Sequence, residues 1–138
     1  MSEHFTHVAV CDDTARLALL HPGLHPELAR ALESCMDAAR LGAVTRGADR
    51  FTADMIAWAR EEARKGETLR DRRLDEKLAF VLGALAHRAA DRLMKPVFRF
   101  FGHKSDKEGP CEASIYMDIF VLREIFCGED ERSELYRR

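Results

Sequence analysis

The sequence lacks several patterns that assign a chain to a common class. It contains no apolar run long enough to cross a membrane as a helix, and its first residues have neither the basic nor the apolar region of a signal peptide. We therefore expect no membrane span and a cytoplasmic location. The four cysteines form no C-x-x-C pair, which argues against a zinc ribbon or a thioredoxin-like site and favours free thiols in a reducing compartment.

A charge of one sign is also missing. The 22 basic and 24 acidic residues give a formal net charge of −2, and no basic block interleaves with aromatic residues, so we expect no nucleic-acid partner. The chain has no adjacent His-Asp dipeptide, no G-x-x-x-x-G-K and no G-x-S-x-G. These absences argue against histidine-aspartate phosphohydrolases, P-loop nucleotidases and serine hydrolases with a nucleophile elbow.

What is present is a chain of ordinary domain size with a clear helical pattern. With 138 residues and 46% hydrophobic content, residues 1–138 can form a single domain with one core, and the charged tail at 128–138 is expected to fray. No stretch shows a sustained alternation of apolar and polar residues. The sequence therefore predicts an all-α fold.

Apolar periodicity, together with proline and glycine at the boundaries, predicts about five helices. Gly42 is expected to end the second helix and Pro96 the fourth. The fourth helix is almost entirely apolar between Leu78 and Ala90, so we expect the other helices to pack around it. The predicted helices span residues 6–20, 26–41, 52–65, 74–94 and 111–126.

Two polar residues interrupt the apolar fourth helix. His87 and Asp91 are four residues apart and therefore project from one face, close enough to touch each other or to bind a shared ion. A buried carboxylate needs a cation, a hydrogen-bond donor or water, because an unpaired one costs several kcal/mol. Two interpretations stay open: a metal site, or a structural pair that also contacts Arg46 or Arg50.

Further candidate ligands stand at the expected ends of other helices. His7 lies near the start of the first helix, Asp49 precedes the third, and Glu112 opens the last. A helical bundle can gather side chains from such positions around one point.

The order of these elements resembles the zinc-dependent phospholipase C family. The resemblance rests on Thr6-His7, on Leu41-Gly42-Ala43 leading to Asp49, on Leu82-Gly83 before His87-(x3)-Asp91, and on the segment from Glu112 to Asp118. It implies an all-helical domain that binds zinc and uses a metal-activated water to attack a phosphodiester. By this resemblance the metal ligands are His7, Asp49, His87, Asp91 and Glu112, and Asp49 is also the catalytic residue nearest the attacking water.

The chain departs from the family at three places. Lys95-Pro96-Val97 stands where family members place another histidine, no histidine occurs between His25 and His87, and Glu108 stands four residues before Glu112 in place of a histidine. A ligand set with fewer imidazoles and more carboxylates binds zinc less strongly and is more tolerant of magnesium, calcium or manganese.

The sequence and the resemblance together predict a metal-dependent hydrolase. We expect a phosphodiesterase or phospholipase C-like enzyme whose substrate is a small-molecule phosphoester and whose cofactor is zinc or another divalent metal. The alternative is a non-catalytic or regulatory helical domain in which the metal site is reduced or absent.

Overall fold

A computed structural model of the chain describes residues 4–45, 49–64, 72–100 and 112–128. These ranges contain helices and no strand, so the predicted all-α fold is confirmed. None of the helices in these ranges has both the length and the apolar character that a membrane span requires. The helices are α1 (His4–Leu19), α2 (Pro26–Ser34), α3 (Met36–Val44), α4 (Asp49–Arg64), α5 (Arg72–Phe100) and α6 (Glu112–Val121), followed by a π-helical segment (Leu122–Phe126).

Helix α5 is the centre of the fold and packs against α1, α2, α3 and α4. The first half of its apolar stripe, including Leu74, Leu78 and Val81, is buried in the core. The second half is not, since Leu85 is 45% exposed and Leu93 is 75% exposed. The prediction that the other helices pack around this one is confirmed, although Leu85 and Leu93 show that part of its second half is open to solvent.

Helices α3 and α5 cross at two glycines. A Cβ atom on Gly42 would lie 2.0 Å from the carbonyl oxygen of Phe80, and one on Gly83 would lie 1.8 Å from that of Ala39. Only residues without a side chain allow backbones to approach this closely. The prediction that Gly42 ends a helix is therefore wrong, because this glycine serves the crossing and α3 continues to Val44.

The helix predicted at 26–41 is divided into α2 and α3 at Cys35. The φ and ψ angles of Cys35 are −134° and 41°, outside the helical range. Just before the break, the Ser34 hydroxyl donates to the carbonyl of Arg30 at 2.7 Å, a local bond that bends helices. No glycine or proline marks this position, which is why the periodicity of the sequence did not reveal it.

Pro96 does not end α5, contrary to the prediction, because the helix continues to Phe100. Proline removes one hydrogen-bond donor from a helix, but the following turns can still form, as in helices that a proline bends. Two other helices begin a few residues before the predicted start: α1 begins at His4 and α4 at Asp49. Apart from Gly128, the tail expected at 128–138 lies outside the described residues.

Candidate metal centre

Two of the candidate ligands lie on α5, one helical turn apart. The His87 Nε2 atom is 3.9 Å from the Asp91 Oδ2 atom. Their side chains are 14% and 10% exposed, respectively. The i, i+4 spacing read from the sequence therefore does place both polar groups on one face, in a nearly dry environment.

The third candidate ligand comes from α1, which packs across α5. The His7 side chain is 3% exposed, and its Nε2 atom lies 3.6 Å from the Asp91 Oδ1 atom. The rings of His7 and His87 stack with their centroids 4.0 Å apart. One ligand atom from each of His7, His87 and Asp91 lies within 4.8 Å of the other two, so this buried group could bind a metal ion.

Helix α1 is held at its first turn by a side chain from α6. The Asp118 carboxylate accepts hydrogen bonds from the backbone N–H groups of Phe5 and Thr6 at 3.1 and 2.9 Å, and from the Thr6 hydroxyl at 2.6 Å. The first turn of α1 has no acidic residue of its own, so Asp118 supplies the negative charge that a helix N-terminus favours. His7 is the next residue and is therefore held in a fixed position.

The His87 ring is oriented by the end of α3. Its Nδ1 atom lies 2.6 Å from the carbonyl oxygen of Ala43. Because α3 ends at Val44, the Ala43 carbonyl is among the last four of the helix and has no donor within it. A carbonyl can only accept, so Nδ1 donates and Nε2 is the nitrogen that remains available for a metal.

The environment of His7 favours its neutral form. Burial lowers the pKa of His7 to about 4, and the proximity of His87 and, to a lesser extent, of His4 acts in the same direction. The carboxylates of Asp91 and Asp118 raise the pKa but do not outweigh the burial. The imidazole is therefore uncharged at neutral pH. A neutral imidazole is the form that binds a metal ion.

The ligand atoms of this cluster lie farther apart than those around a bound zinc ion. Ligand atoms about 2.0–2.1 Å from a tetrahedral zinc ion are about 3.3 Å from one another. The nitrogen-to-oxygen distances of 3.6 and 3.9 Å run to different oxygens of Asp91, and one ligand atom from each residue lies within 4.8 Å of the other two, so the three side chains would move closer together around a zinc ion. Two imidazoles and one carboxylate are also a donor set that zinc accepts, and three protein ligands leave a fourth position open.

Lys95 lies at the edge of the cluster. Its Nζ atom is 3.6 Å from the Asp91 Oδ2 atom, and its side chain is 46% exposed. The ammonium group therefore stands between the carboxylate and the solvent, one turn beyond Asp91 on α5.

The other predicted site residues are not brought into this cluster by the described atoms. Asp49 and Glu112 are the first residues of α4 and α6, and their side chains lie outside the described part of the structure. Arg46 and Glu108 also lie outside it. The Arg50 side chain is 96% exposed and pairs with Asp54 at 4.0 Å, so it is not the partner of Asp91 that the structural interpretation invoked.

The remaining histidines and cysteines that the structure describes have local roles. The Nδ1 atoms of His21 and His25 accept hydrogen bonds from the backbone N–H groups two residues later, at 3.1 and 3.3 Å. Cys11, Cys35 and Cys127 are buried, and Cys11 and Cys35 are free thiols. Burial raises the pKa of Cys11 to about 11, so this thiol is not an activated nucleophile.

Sequence reasoning did not find three groups that support the cluster. The i, i+4 spacing of Asp91 and Lys95 is visible in the sequence and could have indicated their ion pair. By contrast, the carbonyl of Ala43 and the carboxylate of Asp118 act across large distances in the chain. No local sequence pattern predicts such long-range contacts.

Comparison with known proteins identifies no relative of this chain. No protein-family model matches the chain, and neither a curated protein nor a solved structure matches it. The case for function therefore depends on the geometry of the cluster and on the resemblance described above.

Proposed function

We propose that this protein binds a divalent metal ion through His7, His87 and Asp91. The observation that carries the proposal is the convergence of two imidazole Nε2 atoms on the two oxygens of one buried carboxylate, at 3.6 and 3.9 Å. The hydrogen bond from His87 to Ala43 adds to this support, because metal-binding histidines usually donate their other ring nitrogen to a carbonyl or carboxylate.

Zinc is the metal that we propose. Magnesium and calcium prefer oxygen ligands, whereas two of the three donors here are imidazole nitrogens. Manganese and iron accept this donor set as well, so the metal found in the purified protein is part of the test. If Asp49 or Glu112 also contributes a carboxylate, as the resemblance implies, the balance shifts towards manganese.

We further propose that the protein hydrolyses a phosphoester of a small molecule, in the cytoplasm. A bound zinc ion would supply a water of lowered pKa and positive charge for a phosphoryl oxygen. His87 and His7 would hold their positions through Ala43 and Asp118, while Asp91 would bind through its carboxylate. Asp49 remains the proposed catalytic residue, on the resemblance alone. The buried free thiols of Cys11 and Cys35 support a reducing compartment.

Metal content is the decisive measurement. We expect elemental analysis of protein purified without chelator to find close to one metal ion per chain. A double variant, His87→Ala with Asp91→Ala, should lose it, whereas His25→Ala, which changes an exposed capping histidine, should not. Wild-type protein that carries no metal and does not take up added zinc would exclude the site.

Catalysis is tested separately. Metal-loaded protein should release nitrophenol from a chromogenic phosphoester, and the Asp49→Asn variant should be slower while keeping its metal if Asp49 acts on the water. A metal-loaded protein that hydrolyses neither a phosphomonoester nor a phosphodiester would leave a metal-binding domain without this activity.

One observation favours a second candidate function, a non-catalytic helical domain. Lys95 already gives Asp91 a positive partner at 3.6 Å, so the cluster holds a counter-ion of its own. In such a domain the triad would be a structural contact between α1 and α5. If this candidate function is correct, the protein contains no metal and the double variant is less stable than wild type.

A further inference from the structure

We infer that Lys95 is a specificity-determining residue and that the substrate carries a terminal, doubly charged phosphate. This inference rests on the proposed metal site and names the substrate class of that same site. It starts from the position of the Lys95 ammonium group, 3.6 Å from the Asp91 carboxylate and partly open to solvent.

The balance of charge around the triad is the first step. A metal-bound imidazole is neutral, so His7 and His87 would add no charge. The charge of a divalent ion and of Lys95 together exceeds the single negative charge of Asp91 by two, and Asp49, the proposed catalytic residue, would reduce this excess to one. Because the excess stays positive, it attracts a dianion more strongly than a monoanion.

Asp118 does not cancel this excess. Its carboxylate is directed at the N-terminus of α1, where it accepts three hydrogen bonds from Phe5 and Thr6. That helix end carries partial positive charge and offsets the charge of Asp118. The positive excess therefore remains at the solvent side of the triad, where Lys95 lies.

The nature of the Lys95 side chain is the second step. It is a flexible ammonium group on a partly exposed stem, and its partner at 3.6 Å is farther away than the about 2.7–2.9 Å of a charge-assisted hydrogen bond. The group therefore has donors left for an anion that approaches from the solvent beside Asp91. A terminal phosphate offers three oxygens with two charges, whereas a phosphodiester offers two oxygens with one.

The experiment compares two probes that contain no ester bond for the protein to hydrolyse: phenylphosphonate, mainly a dianion at pH 8, and methyl(phenyl)phosphinate, a monoanion. Binding to zinc-loaded protein is measured by calorimetry, after elemental analysis has established the zinc content. We expect wild-type protein to bind the dianion about tenfold more tightly, the ratio that corresponds to one charge-assisted hydrogen bond.

The Lys95→Met variant should lose this preference through weaker binding of the dianion, and Lys95→Arg should retain most of it. Arg92→Met removes an exposed positive charge from the same helix and serves as the matched control, which should behave like wild type. Unfolding curves confirm that each variant is folded.

Three results would overturn the inference. Equal or tighter binding of the monoanion to wild-type protein would do so, as would an unchanged preference in Lys95→Met. Zinc-loaded protein that binds neither probe would reject the inference but leave the metal site in place. Failure of wild-type protein to bind zinc would instead reject the proposed function, and this inference with it.

Discussion

The two ends of α5 each bury an aspartate, and the two sites differ in how well that charge is matched. Asp75, near the start of the helix, is 7% exposed and Asp91, near its end, is 8% exposed. Arg30 binds Asp75 with two parallel hydrogen bonds, from Nη2 at 2.8 Å and from Nε at 3.1 Å. Asp91 instead has three nitrogen atoms around it at 3.6, 3.6 and 3.9 Å.

This difference teaches what each site is suited for. The guanidinium and carboxylate of the first site match each other in shape and charge, which is the arrangement of a structural ion pair. The nitrogens of the second site stand too far from the carboxylate for strong hydrogen bonds but leave room for a small cation between them. A comparison of variants at both ends of the helix tests this distinction.

The largest expected effect concerns Gly83, which lies between the two aspartates at the crossing with α3. Gly83→Ala should lower the free energy of unfolding by about 3 kcal/mol or more, because the new Cβ would overlap the backbone carbonyl of Ala39 and push the helices apart. Urea unfolding measures this loss. Zinc binding should also weaken, since the displaced α3 carries the Ala43 carbonyl that orients His87.

Gly23→Ala is the control for that substitution. Its Cβ would meet only the side chain of His21 at 3.0 Å, in an exposed turn. The expected loss is under about 1 kcal/mol. Equal losses for the two glycines would contradict the account of the crossing.

The next effect concerns the matched aspartate. Asp75→Asn should lower the free energy of unfolding by about 2 kcal/mol, because it breaks the partly buried ion pair with Arg30, while the pair between Arg30 and Glu27 is kept. Asp13→Asn, which breaks an exposed pair with Arg16, should change it by less than about 0.5 kcal/mol. Both are measured by urea unfolding in chelator.

A smaller effect is expected from pH. The pKa of His7 falls from 6.5 to about 4 on folding, so between these values the unfolded chain binds the extra proton and stability declines as pH falls. The contribution of His7 to the free energy of unfolding should be complete well above pH 6.5. It should fall by about 1 to 2 kcal/mol between pH 7 and pH 5 in chelator. Unfolding of wild-type and His7→Gln protein at both pH values measures it.

In that experiment the difference between wild type and His7→Gln is the quantity of interest, since other groups also titrate. A His7→Gln variant that loses as much stability as wild type would show that His7 is not the group responsible.

The smallest effect on stability is expected at the mismatched aspartate. In chelator, Asp91→Asn should change the free energy of unfolding by less than about 1 kcal/mol, because its nitrogen partners are distant and Lys95 is partly exposed. The same variant should no longer bind zinc. A loss as large as that of Asp75→Asn would instead favour the structural role for the triad.

Much of the fold could be predicted from the sequence, because helix formation is encoded locally. The apolar period identified α5, and the spacing of His87 and Asp91 placed both on one face of it. The errors lie where tertiary contacts override local rules: Gly42 serves a helix crossing, Cys35 interrupts a periodic segment, and Pro96 lies within a helix.

The site could be predicted only in part. His87 and Asp91 follow from their spacing, and His7 was expected on the resemblance; its place beside them became visible only in the packing of α1 on α5. Contacts between residues 80 or more positions apart depend on how helices pack, and helix packing admits several crossing angles. For the same reason the role of Ala43 could not be read from the sequence.

The sequence by itself determined that the chain is helical and that α5 carries a histidine and an aspartate on one face, since the 3.6-residue period and the i, i+4 spacing are local properties of a helix. Only the tertiary structure decided that His7 completes a triad and that Arg50 pairs with Asp54 instead of Asp91. It also decided that one carbonyl orients His87, because the glycine crossing brings α3 within reach of α5.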